Sequence, residues 1–473
     1  MKAVTQEILE FAMETSYNDL PVAVVHESKR ILLDSIGCAL GGLSIDKGKI
    51  SVALAKRLGG PCEASIIGIG DRVSCAGAAF ANGELIHALE YDENLVPPTH
   101  VTPLVVSAIL ALAEYMGSSG KDLILATALA HEAAMRLGFG MTTARKFITE
   151  GPDKGKFILP PVFGYSQAIF GGTIGAGRIL KLDYEKMSNA LGIAGYNTPI
   201  PTMGKWLRTE KGGMVKYVPA GWVSQAEVTA VLLAEMGYTG DKTVLEGEYG
   251  FWKIYGSETW EPEKVTEKLG KEWHMTEMWY KLYPTGGIMH SALDCFSKII
   301  EQNSLLPEDI KEVNILLDPL TAHPRFQRKE VETEIDAQFS VPYAFAAIAY
   351  RVPIGAEWQD LDTIKNPKMR EFMKKVSLKP HPEFGKVYLE NPKCWLSRVE
   401  VKVKGKTFIE EATSAKGRPY PEEARATDED LVKKFRHNAS RILPWHKIDS
   451  SSKNILELEE TRNISDLIKL ITM

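Results

Sequence analysis

Asp92 and His100 lie eight residues apart in the stretch EYDENLVPPTH, residues 90–100, where Pro97 and Pro98 forbid helix. The sequence predicts a helix before it, over 75–91, rich in Ala, Leu and Ile. It predicts a second helix after it, opening at Thr102-Pro103 as N-cap and first helical proline and stopping at Gly117. Asp92 would then sit near the negative end of the first helix, which discourages its ionisation. His100 would sit near the positive end of the second, which favours the neutral imidazole that can accept a proton. A carboxyl group and a neutral imidazole on one loop make an acid/base pair. The alternative is that Asp92 caps a turn and His100 is an ordinary loop residue.

A loop of cations suits an anionic partner for such a pair. GKWLRTEKGGMVKYVPAG, residues 204–221, carries Lys205, Arg208, Lys211 and Lys216 among glycines. Fixed cations over a carboxylate gain most in a closed site. Charge runs usually face solvent, and that reading is applied to Lys205, Arg208 and Lys211.

Composition narrows the chemistry. The chain has 473 residues, 44% apolar and 25% charged, enough for two or three domains around a large core. A net charge of −5 gives no reason to propose nucleic acid or an anionic membrane as partner. The N-terminus reads as a polar amphipathic helix, not a signal peptide, and no apolar run is long enough to span a bilayer, so a cytoplasmic enzyme is expected. Cys38, Cys62, Cys75, Cys295 and Cys394 show no CxxC spacing, which argues against a disulfide framework and against an iron–sulfur cluster. The ten histidines show no metal-binding spacing. No metal and no cofactor is expected, and side chains alone would do the chemistry.

The elements that must position these residues are mostly helical. Helices are expected over 6–15, 22–42, 122–139, 164–180 and 222–237, with Glu132 and Arg136 paired at i and i+4. His131 reads as a packed or surface histidine. From about residue 258 the pattern turns α+β. Val313 opens a strand, residues 366–377 read as helix, and SRVEVKVKGKTFIEEAT reads as a hairpin turning at Lys404-Gly405. Ser340 is placed to cap a helix.

Several of these stretches together resemble the MmgE/PrpD family, the 2-methylcitrate dehydratases, cis-aconitate decarboxylases and iminodisuccinate epimerases. Asn82-Gly83, His87-Ala88-Leu89, Asp92 and His100 follow its central motif. LLDSIGCALGG, the stretch 171–195, and Gly240, Leu245, Glu246, Gly247, Gly250 and Phe251 follow others. Lys281, Tyr283, Pro284 and His290 match its Lys-x-aromatic-Pro…His motif, and the segment around Ser340 and Tyr343 its Phe-Ser-x-Pro-Tyr form. One departure stands out. The family places a His-Pro where this chain has Leu159-Pro160-Pro161.

The resemblance implies a mainly α fold with a smaller α+β lid domain, assigned here as helical 1–265, α+β 266–413, and 414–473 returning to the helical part. It implies a homodimer with the site between the domains. Lys216 stands where the family has its active-site lysine. Lys281, ahead of what reads as a proline-started helix, is placed to bind a carboxylate near that helix's positive end. Tyr343 would orient substrate, His290 would be catalytic or packed, and Asp92 and His100 would move protons. The leading expectation is a cofactor-independent lyase dehydrating or hydrating a small di- or tricarboxylic acid such as 2-methylcitrate. The alternatives are an epimerase or decarboxylase on a related acid, favoured by the missing loop histidine, or a non-catalytic carboxylate-binding relative.

Overall fold

The computed structural model of the chain describes residues 3–94, 100–141, 146–152, 154–158, 165–200, 203–209 and 212–473. Lys211 and Leu159-Pro160-Pro161 lie outside the described residues. The fold is mainly α with a smaller α+β part.

Apolar helices form the larger part. Val22–Gly42, Cys75–Ile86, Thr102–Met116, Gly120–Gly140, Ile169–Ile179 and Ala220–Glu235 bury most of their length and pack on one another. Small residues set how closely they cross. Gly221 lies so near helix Cys75–Ile86 that a Cβ there would come within 2.3 Å of the Phe80 carbonyl oxygen. The N–H of Gly221, in the first turn of its helix, donates to Glu84 at 2.8 Å, and Lys47 pairs with the same carboxylate at 3.0 Å. A carboxylate at a helix N-terminus is favoured by the helix dipole. The residues just before that helix, Lys216 and Tyr217, are thereby fixed against residues 84–90.

The α+β part is a four-stranded sheet. Ile310–Leu317 pairs in parallel with Val376–Pro380 and antiparallel with Ser397–Val403, which forms a hairpin with Lys406–Ala412. The hairpin turns at Gly405, whose φ of +77° suits glycine. Val313, Ile315 and Leu317 alternate to one buried face, on which helices His290–Gln302 and Val341–Ala349 help build the core. The segment 366–377 is not one helix. Asn366 caps Pro367–Lys374, and Val376 then leaves to pair with Val313. Ser340 caps Val341–Ala349 as expected, accepting from the Tyr343 N–H at 3.1 Å.

The end of the chain comes back to its beginning. Helix Asp428–Ala439 packs along Val22–Gly42, and Gly68 donates to the Ile471 carbonyl at 2.9 Å. Among the described residues no helix is long and apolar enough to cross a membrane.

One buried acid serves no visible purpose in this packing. Glu227 is fully buried against Gly172 of the facing helix, and among the described residues neither of its carboxyl oxygens is hydrogen-bonded. Burial pushes its pKa well above the usual carboxylate range. Below that range both folded and unfolded states are protonated and nothing is lost. As pH rises through it, the unfolded state ionises while the folded state does not, so stability falls. Replacing Glu227 by Met should therefore stabilise the protein by about 1–3 kcal/mol at pH 8 and by much less at pH 4. Denaturant titrations at the two pH values check this.

Candidate active site

Helix Cys75–Ile86 stops five residues short of the expected end at Tyr91. Beyond the helix end, side-chain donors take the next carbonyls one by one. Lys216 Nζ donates to the His87 oxygen at 3.0 Å, Gln338 to Ala88 at 2.8 Å and Gln359 to Leu89 at 2.8 Å. Lys281 Nζ donates to the Glu90 oxygen at 3.1 Å and Lys434 Nζ to Tyr91 at 2.7 Å. A buried carbonyl needs a donor, and here none of the five is left to the helix. Two donors also reach the segment that carries Lys281. Gln359 bonds the Pro284 oxygen at 3.3 Å, and Lys434 bonds the Lys281 oxygen at 3.0 Å. They staple residues 89–91 to 281–284 on either side of the Glu90–Lys281 pair.

The segment delivers two buried carboxylates. Glu90 pairs with Lys216 and with Lys281, the latter at 2.9 Å, and accepts from the Tyr217 hydroxyl at 2.8 Å. Asp92 faces His87 Nδ1 and His100 Nδ1, each at 3.1 Å. His100 Nε2 meets the Tyr217 hydroxyl at 2.8 Å. Glu90, His100 and Lys216 all hold positive φ, between 56° and 58°. That backbone costs a non-glycine residue roughly 1 kcal/mol or more, and such strain gathers at functional sites.

Charge in this cluster is set by burial against pairing. Burial opposes ionisation of Glu90, but Lys216 and Lys281 outweigh it and hold its pKa well below the usual range. Burial likewise opposes ionisation of Asp92, and His87 and His100 outweigh it. This corrects the helix-dipole expectation. Asp92 lies six residues past the helix end and is held ionised. Burial, then Lys216, brings His87 down to about 3. Burial, then Lys281, lowers His100, so the neutral imidazole expected there is present for a different reason. Thr102 does not cap its helix. Val101 occupies the cap position and Thr102 Oγ1 meets His131 Nε2 at 2.9 Å, which packs that histidine in the core. Burial brings Lys216 down to about 8 despite Glu90.

Protonation follows from these states. An ionised Asp92 only accepts, so both histidines carry their hydrogen on Nδ1. His87 Nε2 is then a bare lone pair with no partner among the described residues. Each ammonium has three N–H groups. Among the described residues Lys216 uses two, on Glu90 and His87, and Lys281 two, both on Glu90, which leaves one N–H each. The donor atoms of His87, Asp92 and His100 lie within 4.8 Å of one another, a spacing a cation could bridge. Lys216 and Lys281 already balance Glu90 and Asp92, so the cluster offers a dication no net negative charge.

Four of the six expected residues therefore meet: Asp92, His100, Lys216 and Lys281. Tyr343 does not join them. It is fully buried, and its hydroxyl donates to the Trp358 carbonyl at 2.5 Å. His290 stays beside the cluster. Its ring packs against Trp279 and Tyr283, and Nε2 faces the Thr285 carbonyl at 3.4 Å. No helix starts at Pro284, since α-helix begins only at His290, so Lys281 owes its place to Glu90 and not to a helix dipole. Lys205 and Arg208 are exposed, as expected, and Glu132 pairs with Arg136 at 2.6 Å. The residues missed are Glu90, Tyr217, Gln338, Gln359 and Lys434. Tyr217 adjoins a residue already singled out.

The MmgE/PrpD N-terminal domain model matches residues 6–263, and the MmgE/PrpD C-terminal domain model matches 283–458. The chain belongs to the MmgE/PrpD family. Family relatives include the cis-aconitate decarboxylase of Homo sapiens, 27% identical with 100% of this chain and 95% of the relative covered. The cis-aconitate decarboxylase of Aspergillus terreus is 25% identical, with 99% and 96% covered. A cis-aconitate decarboxylase-like protein of Aspergillus oryzae is 25% identical, with 99% and 97% covered.

The Lys434 staple is anchored by Asp34 at 2.7 Å, with both side chains buried. Lys434→Met should cost about 3–5 kcal/mol in denaturant unfolding, because buried Asp34 loses its cation. Adding Asp34→Asn should recover part of that loss, giving a clear coupling term in the double-mutant cycle.

Proposed function

We propose that this chain is a cofactor-independent lyase acting on small polycarboxylic acids, with decarboxylation of cis-aconitate or a close analogue as the first reaction to test. The observation that carries this is the buried cluster in which two lysines with one N–H each to spare adjoin an Asp92–His100 pair. The relatives' names move decarboxylation ahead of the dehydration that motif resemblance alone put first.

The two paired carboxylates cancel the two lysine charges, so the site is close to neutral before a ligand arrives. A substrate carboxylate accepts the remaining N–H of Lys216, and a second accepts that of Lys281. These bonds are strong because the site is dry and the ammonium groups are already fixed by Glu90 and by backbone oxygens. Asp92 holds His100 in one tautomer and stabilises positive charge on it. His100 can then handle the proton that such a reaction needs when electron density builds next to a carboxylate. A homodimer is part of the same proposal, and sedimentation velocity tests it.

Proton NMR of the protein mixed in turn with cis-aconitate, 2-methylcitrate and citrate tests the reaction. Loss of a carboxylate from cis-aconitate, with a new alkene product, is the expected result. New alkene signals from a hydroxy acid would establish a dehydratase instead, and no change with any acid would leave a non-catalytic relative. With a turned-over acid in hand, Asp92→Asn should lower kcat about 100-fold or more. The free-enzyme rate constant kcat/KM should fall as pH rises through about 8, where Lys216 loses its proton.

A further inference from the structure

Four contacts in the cluster require a hydrogen between their atoms. They are His87 Nδ1 to Asp92 at 3.1 Å, His100 Nδ1 to Asp92 at 3.1 Å, His100 Nε2 to Tyr217 at 2.8 Å, and Tyr217 to Glu90 at 2.8 Å. Two neutral imidazoles and one phenol bring only three hydrogens. Tyr217 can donate to Glu90 or to His100 Nε2, not to both. Whichever it leaves puts two lone pairs face to face at hydrogen-bonding distance, a costly arrangement for groups this buried. One more hydrogen, on His100 Nε2, would satisfy all four contacts.

We propose that the Asp92–His100–Tyr217–Glu90 chain takes up one proton together with a polycarboxylate anion bound at Lys216 and Lys281, and that Tyr217 is the residue that makes the chain need it. This rests on the carboxylate site proposed above.

The groups around His100 support the coupling. From its own loop it faces Asp92 and Glu90, from the end of helix Cys75–Ile86 it faces His87, and from the segment before Ala220–Glu235 it faces Tyr217 and, through Glu90, Lys216. Tyr165 packs against its ring, and Lys281 approaches from the 281–284 segment. The Lys47–Glu84 pair lies beyond His87 and Lys216. Burial and the Lys281 charge keep the extra proton off, while Asp92 and Glu90 favour it. An anion on the lysines offsets the Lys281 charge and tips the balance. In a decarboxylation the proton has a use. The bond to the leaving carboxylate breaks, carbon dioxide departs, and the electron pair left on carbon takes the proton from the chain. Solvent then replaces it.

The test is calorimetry with tricarballylate, a saturated tricarboxylate, at pH 7 in two buffers of different protonation enthalpy. The wild-type protein should take up about one proton per bound ligand, whereas Lys216, already mostly charged at this pH, can take up only a minor fraction of one. Tyr217→Phe removes two contacts and one hydrogen, so the remaining chain is satisfied and uptake should fall to the Lys216 fraction. If that variant does not fold, ¹⁵N-histidine NMR of the wild type decides, since one imidazole should become imidazolium on binding. Binding without uptake, uptake unchanged in Tyr217→Phe, or no new imidazolium signal overturns the proton chain alone. No binding of tricarballylate at all overturns the carboxylate site and this inference with it.

Discussion

Everything in the site hangs on five consecutive backbone carbonyls, those of residues 87–91, that a helix does not use. Each is satisfied by a buried side-chain donor from a different stretch of chain. A buried carbonyl cannot be left without a partner, so the donors must arrive, and in arriving they fix the geometry. Two are the lysines that pair with Glu90. Two are glutamines from the α+β part, and Gln338 and Gln359 also bond each other at 2.8 Å. The last comes from the closing helices. These five carbonyls therefore draw the α+β part and the end of the chain onto one segment.

Around this segment the packing leaves little freedom. Gly221 lets helix Ala220–Glu235 lie against Cys75–Ile86, and Glu84 and Lys47 lock its first turn. On the other side Arg325 stacks over Trp206 and bonds the carbonyls of Trp206 and Thr209, holding the start of the Lys216 loop against the α+β part. Lys216 is thus held at both ends of its loop. That is how a lysine can sit in a left-handed backbone conformation, fully buried, beside a carboxylate.

Local pattern was legible wherever it was set by local chemistry. The Val22–Gly42 helix ends at its glycine pair, the hairpin turns at Gly405, and Ser340 caps its helix because these features depend on neighbours in sequence. Asp92 and His100 were legible as a pair because they share a loop, and resemblance to known motifs supplied Lys216 and Lys281. What could not be read was which groups meet. Lys281 and Glu90 are 191 residues apart, and no periodicity marks one acid in EYDENL as the partner of two lysines. The dipole argument for Asp92 failed for the same reason, since it assumed a helix running to Tyr91 and took no account of the two histidines that face the carboxylate. Tyr343 shows the converse. A buried tyrosine in a familiar motif finds its partner in a core carbonyl, and nothing local distinguishes that fate from a place in the site.

The reach of Lys434 bears on how the molecule comes into being. Its ammonium bonds the Tyr91 carbonyl 343 residues earlier in the chain. Chains are made from the N-terminus, and domains tend to fold as they emerge. The helices from Val22 to Glu235 can begin to pack while the rest is still being synthesised, but the 87–91 carbonyls cannot all be satisfied until residue 434 has left the ribosome. Until then the segment holds polar groups that want partners and have only water. Contacts of such long separation are slow to close. Assembly of the site thus waits on the C-terminal part of the chain, so a nascent or truncated chain can be well packed in its helices and still lack the arrangement on which its chemistry depends.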